Sequence, residues 1–288
     1  MIFNDSKNGR NLQKIVYIVF ILLGFFCKLP LKPGEYTDLE EAFKNPKDVL
    51  VLRYRDNEDN PLKTLPKEIG NLKNLKELSL NTNEITTLPS EIGNLKNLQV
   101  LSLNVNRLET IPKEIGNLKN LKELSIGLNK LKTLPKEIGN LKNLKELYLS
   151  RNQLKVLPQE IWNLKKLQRM HLSTNELTKL PQEIKNLEGL IEIYLYDNQF
   201  TTLPKEIGNL KNLRNLVLGR NQLISLPSEI GNLKNLKELY LEENQLTKLP
   251  KQIAVLKKLS RLSLEGNQFP SEEKERIKRL LPKCNISF

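Results

Sequence analysis

The side chains that most often carry out chemistry are scarce in this sequence of 288 residues. Its only histidine is His171, and its two cysteines, Cys27 and Cys284, lie towards opposite ends of the chain. One histidine supplies neither a Ser-His-Asp or Cys-His set nor the several ligands that a metal site needs. Six of the 13 glycines recur at one position of a repeat, and the sequence contains no glycine-rich phosphate-binding loop. The sequence therefore predicts a protein that is not an enzyme and needs no cofactor or metal.

A repeat of 23 residues organises most of the chain. The proline of a Leu-Pro or Ile-Pro pair returns at this interval, at Pro66, Pro89, Pro112, Pro135, Pro158, Pro181, Pro204, Pro227 and Pro250. Nine units follow the pattern LxxLxLxxNxLxxLPxEIxxLxx, and a degenerate unit that begins at Val49 brings the expected strands to about ten. A period of this length predicts a solenoid, in which each repeat contacts only its neighbours.

Each repeat is expected to hold one short strand. In LxxLxLxxN, apolar and polar residues alternate, so Leu78 and Leu80 are expected inside and Ser79 outside. The repeated strands would stack in parallel as one sheet. On the opposite side each proline opens a short helix or 3₁₀ turn, because its fixed φ suits a helix start or an extended corner. Trp162 replaces a repeat glycine and is expected to pack on a neighbouring loop; the alternative is an exposed contact.

The pattern resembles the leucine-rich-repeat family over residues 49–269, in particular the exported 23-residue-repeat proteins of pathogenic spirochaetes. The block 33–38 and the terminal SEEKERIKRLLPKC resemble that family's caps. The resemblance implies an α/β solenoid: an arc with a concave parallel β-sheet, short helical or 3₁₀ convex segments and helical caps at both ends. It also implies inward asparagines that bond the loops of adjacent repeats, at Asn83, Asn106, Asn129, Asn152, Asn175, Asn198, Asn221, Asn244 and Asn267.

The open ends of a solenoid need caps. Thr37-Asp38 can cap a short helix before the array. After the array, Ser271 is expected to cap a second helix that stops at Pro282, and the tail 284–288 can add an edge strand. The predicted divisions are a targeting segment at 1–27, an N-terminal cap at 28–48, the repeat array at 49–269, and a C-terminal cap helix and tail at 270–288.

The residues between the structural positions face outward and differ from repeat to repeat. Early repeats carry serine and asparagine there, with a small apolar spot at Val105 and Leu128. Later repeats carry tyrosine and arginine, which are enriched at the energetic centres of protein interfaces. The candidate partner-binding residues are Tyr148, Arg151, Arg169, His171, Glu192, Tyr194, Tyr196, Arg214, Arg220 and Tyr240. The alternative is that the aromatic residues only stack across strands and stabilise the sheet.

The formal net charge of +13 has two interpretations. An excess of lysine and arginine favours acidic partners such as sulfated polysaccharide. The interpretation we favour is that lysine is part of the repeat, as at Lys67, Lys113, Lys136 and Lys205, and forms no single patch.

The N-terminus predicts export. Lys7, Arg10 and Lys14 precede the apolar run 15–26, which is too short to span a bilayer comfortably. No small-x-small cleavage site follows, so a retained membrane anchor is the alternative. Lipid attachment at Cys27 is also open, although Phe26 stands where such sites carry a small residue.

We therefore expect a monomeric, exported protein-binding module, secreted or on the outer surface, that contacts host or cell-surface proteins through the concave face and takes part in adhesion. Nucleic acid is not an expected partner. One alternative is a binder of acidic glycans such as glycosaminoglycans through basic residues. Another is a periplasmic structural or interaction protein.

Overall fold

A computed structural model of the protein describes residues 32–54 and 61–288, and residues 34–288 form one compact unit. The predicted targeting segment 1–27 with Cys27, the start of the predicted N-terminal cap at 28–31, and residues 55–60 lie outside the described residues. No helix in the described part of the chain is long and apolar enough to cross a membrane.

The described residues build one parallel sheet in which twelve strands stand in chain order. The strands are β1 Glu35–Tyr36, β2 Val51–Arg53, β3 Glu77–Ser79, β4 Val100–Ser102, β5 Glu123–Ser125, β6 Glu146–Tyr148, β7 Arg169–His171, β8 Glu192–Tyr194, β9 Asn215–Val217, β10 Glu238–Tyr240, β11 Arg261–Ser263 and β12 Asn285–Ser287. Strands β2 to β11 are the ten expected from the repeats, and β12 is the edge strand expected from the tail. The sequence analysis did not predict β1, which adds a strand before the array.

The strand register follows the repeat without a shift. Glu146 pairs with Arg169, Leu147 with Met170, and Tyr148 with His171. The central residue of each array strand is fully buried, so the first and third residues point to the opposite face. This face, formed by the first and third residues of β2 to β11, is called the sheet face below. Equivalent residues therefore run across it in straight columns.

Five-residue 3₁₀ helices form the side opposite the sheet, as expected. They span Lys67–Asn71, Ser90–Asn94, Lys113–Asn117, Lys136–Asn140, Gln159–Asn163, Gln182–Asn186, Lys205–Asn209, Ser228–Asn232 and Lys251–Val255. A proline in extended conformation precedes each one; Pro66 has φ −62° and ψ 149°. The glycine inside these helices is needed for close stacking, since a Cβ on Gly139 would lie 2.5 Å from the carbonyl oxygen of Glu160 in the next repeat.

Trp162 occupies this glycine position and is only 2% exposed, which confirms that it packs inside. The following repeat adjusts to its bulk. Pro181 has φ −81° and ψ 167°, whereas Pro158 and Pro204 on either side keep ψ at 142° and 145°. The indole therefore changes the backbone locally while the strand register stays intact.

The inward asparagines bond the backbone as the resemblance implies. The Oδ1 of Asn152 accepts from the Leu131 N–H at 3.0 Å, and its Nδ2 donates to the carbonyl oxygens of Ile126 at 2.9 Å and Leu149 at 3.0 Å. The contacts with Leu131 and Ile126 reach the preceding repeat, and all three satisfy backbone groups that no strand pairs. The same pattern recurs along the column, from Asn106 to Asn267.

A helix caps each end of the array. In α1, Leu39–Lys44, the Asp38 carboxylate accepts from the Glu41 N–H at 2.9 Å, so this predicted cap is present. The prediction for Ser271 is wrong: α2 spans Ser271–Leu280, so Ser271 is its first helical residue, and Pro270 precedes it without a side-chain cap. Proline supplies the extended entry with its fixed φ of −60°.

Side chains of α2 fasten it to the last repeat. The Glu273 carboxylate accepts from the Leu249 N–H at 3.0 Å, and Arg276 Nη2 donates to the Leu249 carbonyl oxygen at 2.6 Å. Arg276 also forms an ion pair with Glu273, and Ile277 beneath them is fully buried. The helix thus closes the core and satisfies the Leu249 backbone just before the last 3₁₀ helix.

Candidate functional site

An aromatic row crosses the middle of the sheet face. Tyr148, His171 and Tyr194 are the third residues of β6, β7 and β8. The ring centroids of Tyr148 and His171 are 4.8 Å apart at 81°, and those of His171 and Tyr194 are 4.2 Å apart at 70°. Both are edge-to-face contacts, each worth about 0.5–1.5 kcal/mol. The cross-strand contact proposed as the alternative to binding is therefore present.

A charged row runs beside the aromatic row. Glu146, Arg169 and Glu192 are the first residues of the same three strands. Arg169 Nη1 donates to Glu146 Oε1, and Arg169 Nε lies 3.7 Å from Glu192 Oε2. The Tyr148 hydroxyl donates to the other oxygen of Glu146, and burial together with this bond raises the pKa of Tyr148. These six residues, Glu146, Tyr148, Arg169, His171, Glu192 and Tyr194, are called the aromatic–ionic cluster below.

The histidine of the cluster keeps one ring nitrogen unpaired. His171 Nε2 lies 4.0 Å from Glu192 Oε2, too far for a hydrogen bond, and is buried without another partner among the described residues. His171 and then Arg169 lower the pKa of Glu192, against the effect of burial, which keeps this carboxyl ionised. The cluster is thus fixed by contacts inside itself but retains one unused polar atom.

A second pair lies at the edge of the sheet face. The Arg220 guanidinium carbon is 5.6 Å from the centroid of the Tyr196 ring, within cation–π range, and its Nε is 2.9 Å from Glu243 Oε2. Burial raises the pKa of Tyr196 to about 12. Arg220 is therefore held between an aromatic face and a carboxylate.

Tyr240 stands apart from the aromatic row because the buried Val217 intervenes on β9. Its hydroxyl donates to Glu238 Oε2 at 3.1 Å and accepts from Arg261 Nη1 at 2.9 Å. Tyr240 repeats at β10 the tyrosine–glutamate arrangement of Tyr148 and Glu146.

The other two candidates, Arg151 and Arg214, lie off the cluster. Arg151 is exposed in the turn after β6 with φ +59°, and Arg214 is exposed just before β9. Neither side chain forms an ion pair or hydrogen bond within residues 32–54 and 61–288. Arg214 is close enough to Glu192 to contribute to its lowered pKa. Both arginines border the cluster with free guanidinium groups.

One outward column belongs to turns and not to strands. It carries a left-handed backbone, with φ between 51° and 59°, at Thr82, Val105, Leu128, Arg151, Thr174, Asp197, Arg220 and Glu243. This conformation is unfavourable for a β-branched residue such as valine. Val105 and Leu128 are 40% and 38% exposed, so the expected apolar spot lies on this rim.

The sequence analysis missed the acidic partners of the tyrosines. Glu146 and Glu238 each accept from a tyrosine two residues on, and Arg261 joins the second pair. The available signal was the spacing Glu-x-Tyr, at 146–148, 192–194 and 238–240. No three His, Cys, Asp or Glu side chains of the described residues are placed to hold a metal ion.

One family model matches the chain. The family model described as "Leucine-rich repeat region" matches residues 37–133, 126–222 and 201–280. No curated protein matches the chain.

Several solved structures are similar to the chain. A leucine-rich-repeat protein of Leptospira interrogans is 34% identical over 88% of this chain and 99% of that one, with a TM-score of 0.39. The plant peptide hormone receptor RGFR1, solved in complex with RGF2, is 30% identical over 91% of this chain, with a TM-score of 0.63. A TDR receptor is 29% identical over 84% of this chain, with a TM-score of 0.72. The chain spans 49% and 43% of these two receptor chains.

Proposed function

Because this chain belongs to the leucine-rich repeat family, whose fold serves protein interaction, we propose that it is an exported, non-catalytic module that binds a protein at a host or cell surface. The binding surface is the sheet face of β6 to β10, with the aromatic–ionic cluster at its centre. Arg151, Arg214 and the pair of Tyr196 and Arg220 border it.

The observation that carries this proposal is that the fold does not need the tyrosines. The same column holds Ser79, Ser102, Ser125 and Ser263, in strands of the same length and register. Tyrosine and arginine contribute large binding energies where they are enclosed in an interface. Their cross-strand contacts also hold the side chains in place before a partner arrives, which lowers the entropy lost on binding.

The receptor similarity supports a protein or peptide as the partner. RGFR1 is a receptor of a peptide hormone and was solved with RGF2 bound. A partner of mixed charge fits the cluster, because Glu146 and Glu192 stand on either side of Arg169. A purely anionic partner would be repelled by the carboxylates of Glu146 and Glu192.

Export is supported by the sequence of the N-terminus, where Lys7, Arg10 and Lys14 precede the apolar run 15–26. Digestion of intact cells by an added protease tests it. The chain should be cleaved without lysis, and protection until the outer envelope is opened would place it in the periplasm.

The binding proposal is tested by capture from a host cell-surface extract, followed by mass spectrometry and affinity measurement with the captured protein. The variant Tyr148→Ser, Tyr194→Ser, Tyr240→Ser places the residue of other repeats at each position. We expect its affinity to fall at least about tenfold. The control Val156→Thr restores the threonine of other repeats at an exposed site off the sheet face and should bind as the wild type does. Equal binding by the triple variant would remove the sheet face from consideration.

A further inference from the structure

The loop that leads into each strand carries lysine in five consecutive repeats. These loops are residues 71–76, 94–99, 117–122, 140–145 and 163–168, and they contain no acidic residue. Their nine lysines are all exposed and are called the basic flank below: Lys73, Lys76, Lys96, Lys119, Lys122, Lys142, Lys145, Lys165 and Lys166. In the next repeat the run is interrupted, because Glu188, Gly189 and Ile191 stand at the equivalent positions.

A second column of asparagines holds the flank in place. The Nδ2 of Asn97 donates to the Lys73 carbonyl oxygen at 2.9 Å, and the Nδ2 of Asn120 donates to that of Lys96 at 2.9 Å. Asn143 makes the same bond to Lys119. The backbone of each loop is therefore tied to the preceding repeat. The lysine side chains project from a fixed support.

The positive charges of the flank are not neutralised by carboxylates. Within the described residues none of the nine lysines forms an ion pair, whereas Arg53, Arg169 and Arg220 on the sheet side all do. The hydrogen bonds of the flank ammonium groups go to neutral oxygens. Lys122 Nζ donates to Gln99 Oε1 at 2.8 Å, and Lys166 Nζ donates to Asn143 Oδ1 at 2.8 Å.

The flank contains an open groove of about 370 Å³. Its lining residues are Gln99, Asn120, Lys122, Asn143, Lys145 and Lys166. Ammonium groups donate to anionic oxygens, and amide groups both donate to and accept from hydroxyls. The groove thus combines the two kinds of group that a charged sugar would need.

We propose that the basic flank binds a linear sulfated polysaccharide that lies across successive repeats and places sulfate groups against the lysines. At a strand spacing of about 4.8 Å, five repeats extend along roughly 20 Å, which suits a short stretch of polymer. The five loops carry neither aromatic residues nor arginine. Single-stranded nucleic acid usually stacks its bases on aromatic side chains, so this surface fits a ligand without base rings.

The site is independent of the protein-binding surface proposed above, because the flank lies in the loops before the strands. Nine of the 46 lysine and arginine residues of the chain lie in the flank. The two proposals can therefore succeed or fail separately.

The test measures binding of a fluorescein-labelled heparin oligosaccharide to the full chain by fluorescence anisotropy between 50 and 300 mM NaCl. The variant Lys122→Gln, Lys145→Gln, Lys166→Gln removes three charges from the groove. The control Lys67→Gln, Lys113→Gln, Lys136→Gln removes three exposed lysines from the 3₁₀ helices on the opposite side. At about 150 mM NaCl we expect at least about tenfold weaker binding for the groove variant and less than about threefold for the control. The slope of log affinity against log salt should fall by about two to three in the groove variant only.

Several results would overturn the proposal. One is an equal loss in the two variants, which would mean attraction by net charge alone. Others are undiminished binding of desulfated heparin, or equally tight binding of single-stranded DNA with the same number of charges. Loss of heparin binding in the tyrosine triple variant would place the ligand on the sheet face and would equally reject the flank.

Discussion

The sheet face and the basic flank belong to the same repeats but differ in the arrangement of their charged side chains. On the sheet face, Glu146, Arg169 and Glu192 alternate in sign across neighbouring strands. On the flank, lysine follows lysine, and no carboxylate is paired with it in the described residues. Exact repetition in a solenoid stacks identical residues on adjacent strands, which is unfavourable for like charges. Departure from the repeat at Arg169 separates Glu146 from Glu192, although Glu123 still stands opposite Glu146. The flank keeps its neighbouring lysines throughout.

The largest expected effect is on the unfolding free energy when an asparagine of the inward column, Asn152, or of the flank column, Asn143, is replaced by alanine. Asn152→Ala removes three hydrogen bonds, leaves the buried Leu131 N–H without a partner, and leaves the Ile126 carbonyl with only a 3.4 Å bond from Asn129 Nδ2. We expect the free energy of unfolding to fall by about 2–4 kcal/mol. Asn143→Ala removes two exposed bonds, one to the Lys119 carbonyl and one from Lys166 Nζ, and should lower it by less than about 1 kcal/mol. Urea unfolding followed by circular dichroism measures both, and equal losses would contradict the distinction.

A smaller effect is expected within the aromatic–ionic cluster. Arg169→Gln leaves the Glu146 carboxylate without its cation and removes the charge that separates Glu146 from Glu192. Because these groups are partly exposed, the unfolding free energy should fall by about 0.5–1 kcal/mol. Lys122→Gln on the flank is the matched change and should produce no loss. If both variants behaved alike, the paired charges of the sheet face would contribute nothing to stability.

Glu242 differs from the paired carboxylates of the sheet side. Glu242 Oε2 is buried and has no hydrogen-bond partner among the described residues, and burial raises the pKa of this group. The native state then binds the proton more tightly than the unfolded state, so ionisation lowers stability above the raised pKa. The penalty disappears as the pH falls below the ordinary value of about 4.3. Glu242→Gln should therefore raise the unfolding free energy by about 1 kcal/mol at pH 7 and leave it unchanged near pH 3.5.

Urea unfolding at the two pH values checks this prediction. Glu243→Gln is a suitable control, because Glu243 is exposed and paired with Arg220. The substitution Glu243→Gln should not raise the unfolding free energy at either pH. A gain for Glu242→Gln that persisted at pH 3.5 would mean that repacking, and not ionisation, was responsible.

The smallest expected effect is on the flank itself. Lys122→Gln with Lys145→Gln removes two of nine neighbouring like charges. The melting temperature should rise slightly at about 10 mM salt, by the equivalent of a few tenths of a kcal/mol, and the gain should vanish at about 0.5 M. Calorimetry at the two salt concentrations measures the difference. A loss of stability at low salt would show that these lysines have stabilising partners.

The period of the prolines was enough to predict the sheet and the short helical or 3₁₀ segments, and the family resemblance implied the inward asparagines, because each is required in every repeat. Singular features were harder. The strand β1 pairs only with β2 and lies outside the repeat pattern from which the array strands were predicted. The entry to α2 depends on Pro270, and the serine after it has no capping role.

The candidate site was predicted in part. The columns correctly placed Tyr148, His171 and Tyr194 side by side, since the register is constant. They could not show that Thr82 to Glu243 form a left-handed turn column, because the side chains there share no chemical feature. The flank asparagines and lysines are present in the segment NLKNLK. Because this segment recurs from repeat to repeat, it gave no sign of a specific site. Only the fold shows that the amides bond the backbone while, among the described residues, the ammonium groups pair with no carboxylate.

Trp162 gives the protein a built-in optical probe. It is the only tryptophan of the chain and stands in a central repeat with its ring shielded from water. Its emission therefore reports the state of the middle of the array, while circular dichroism reports all repeats together. If the ends of the solenoid fray before the centre, the two signals will separate during unfolding. The residue that interrupts the glycine column thus makes the cooperativity of the whole array measurable without any label.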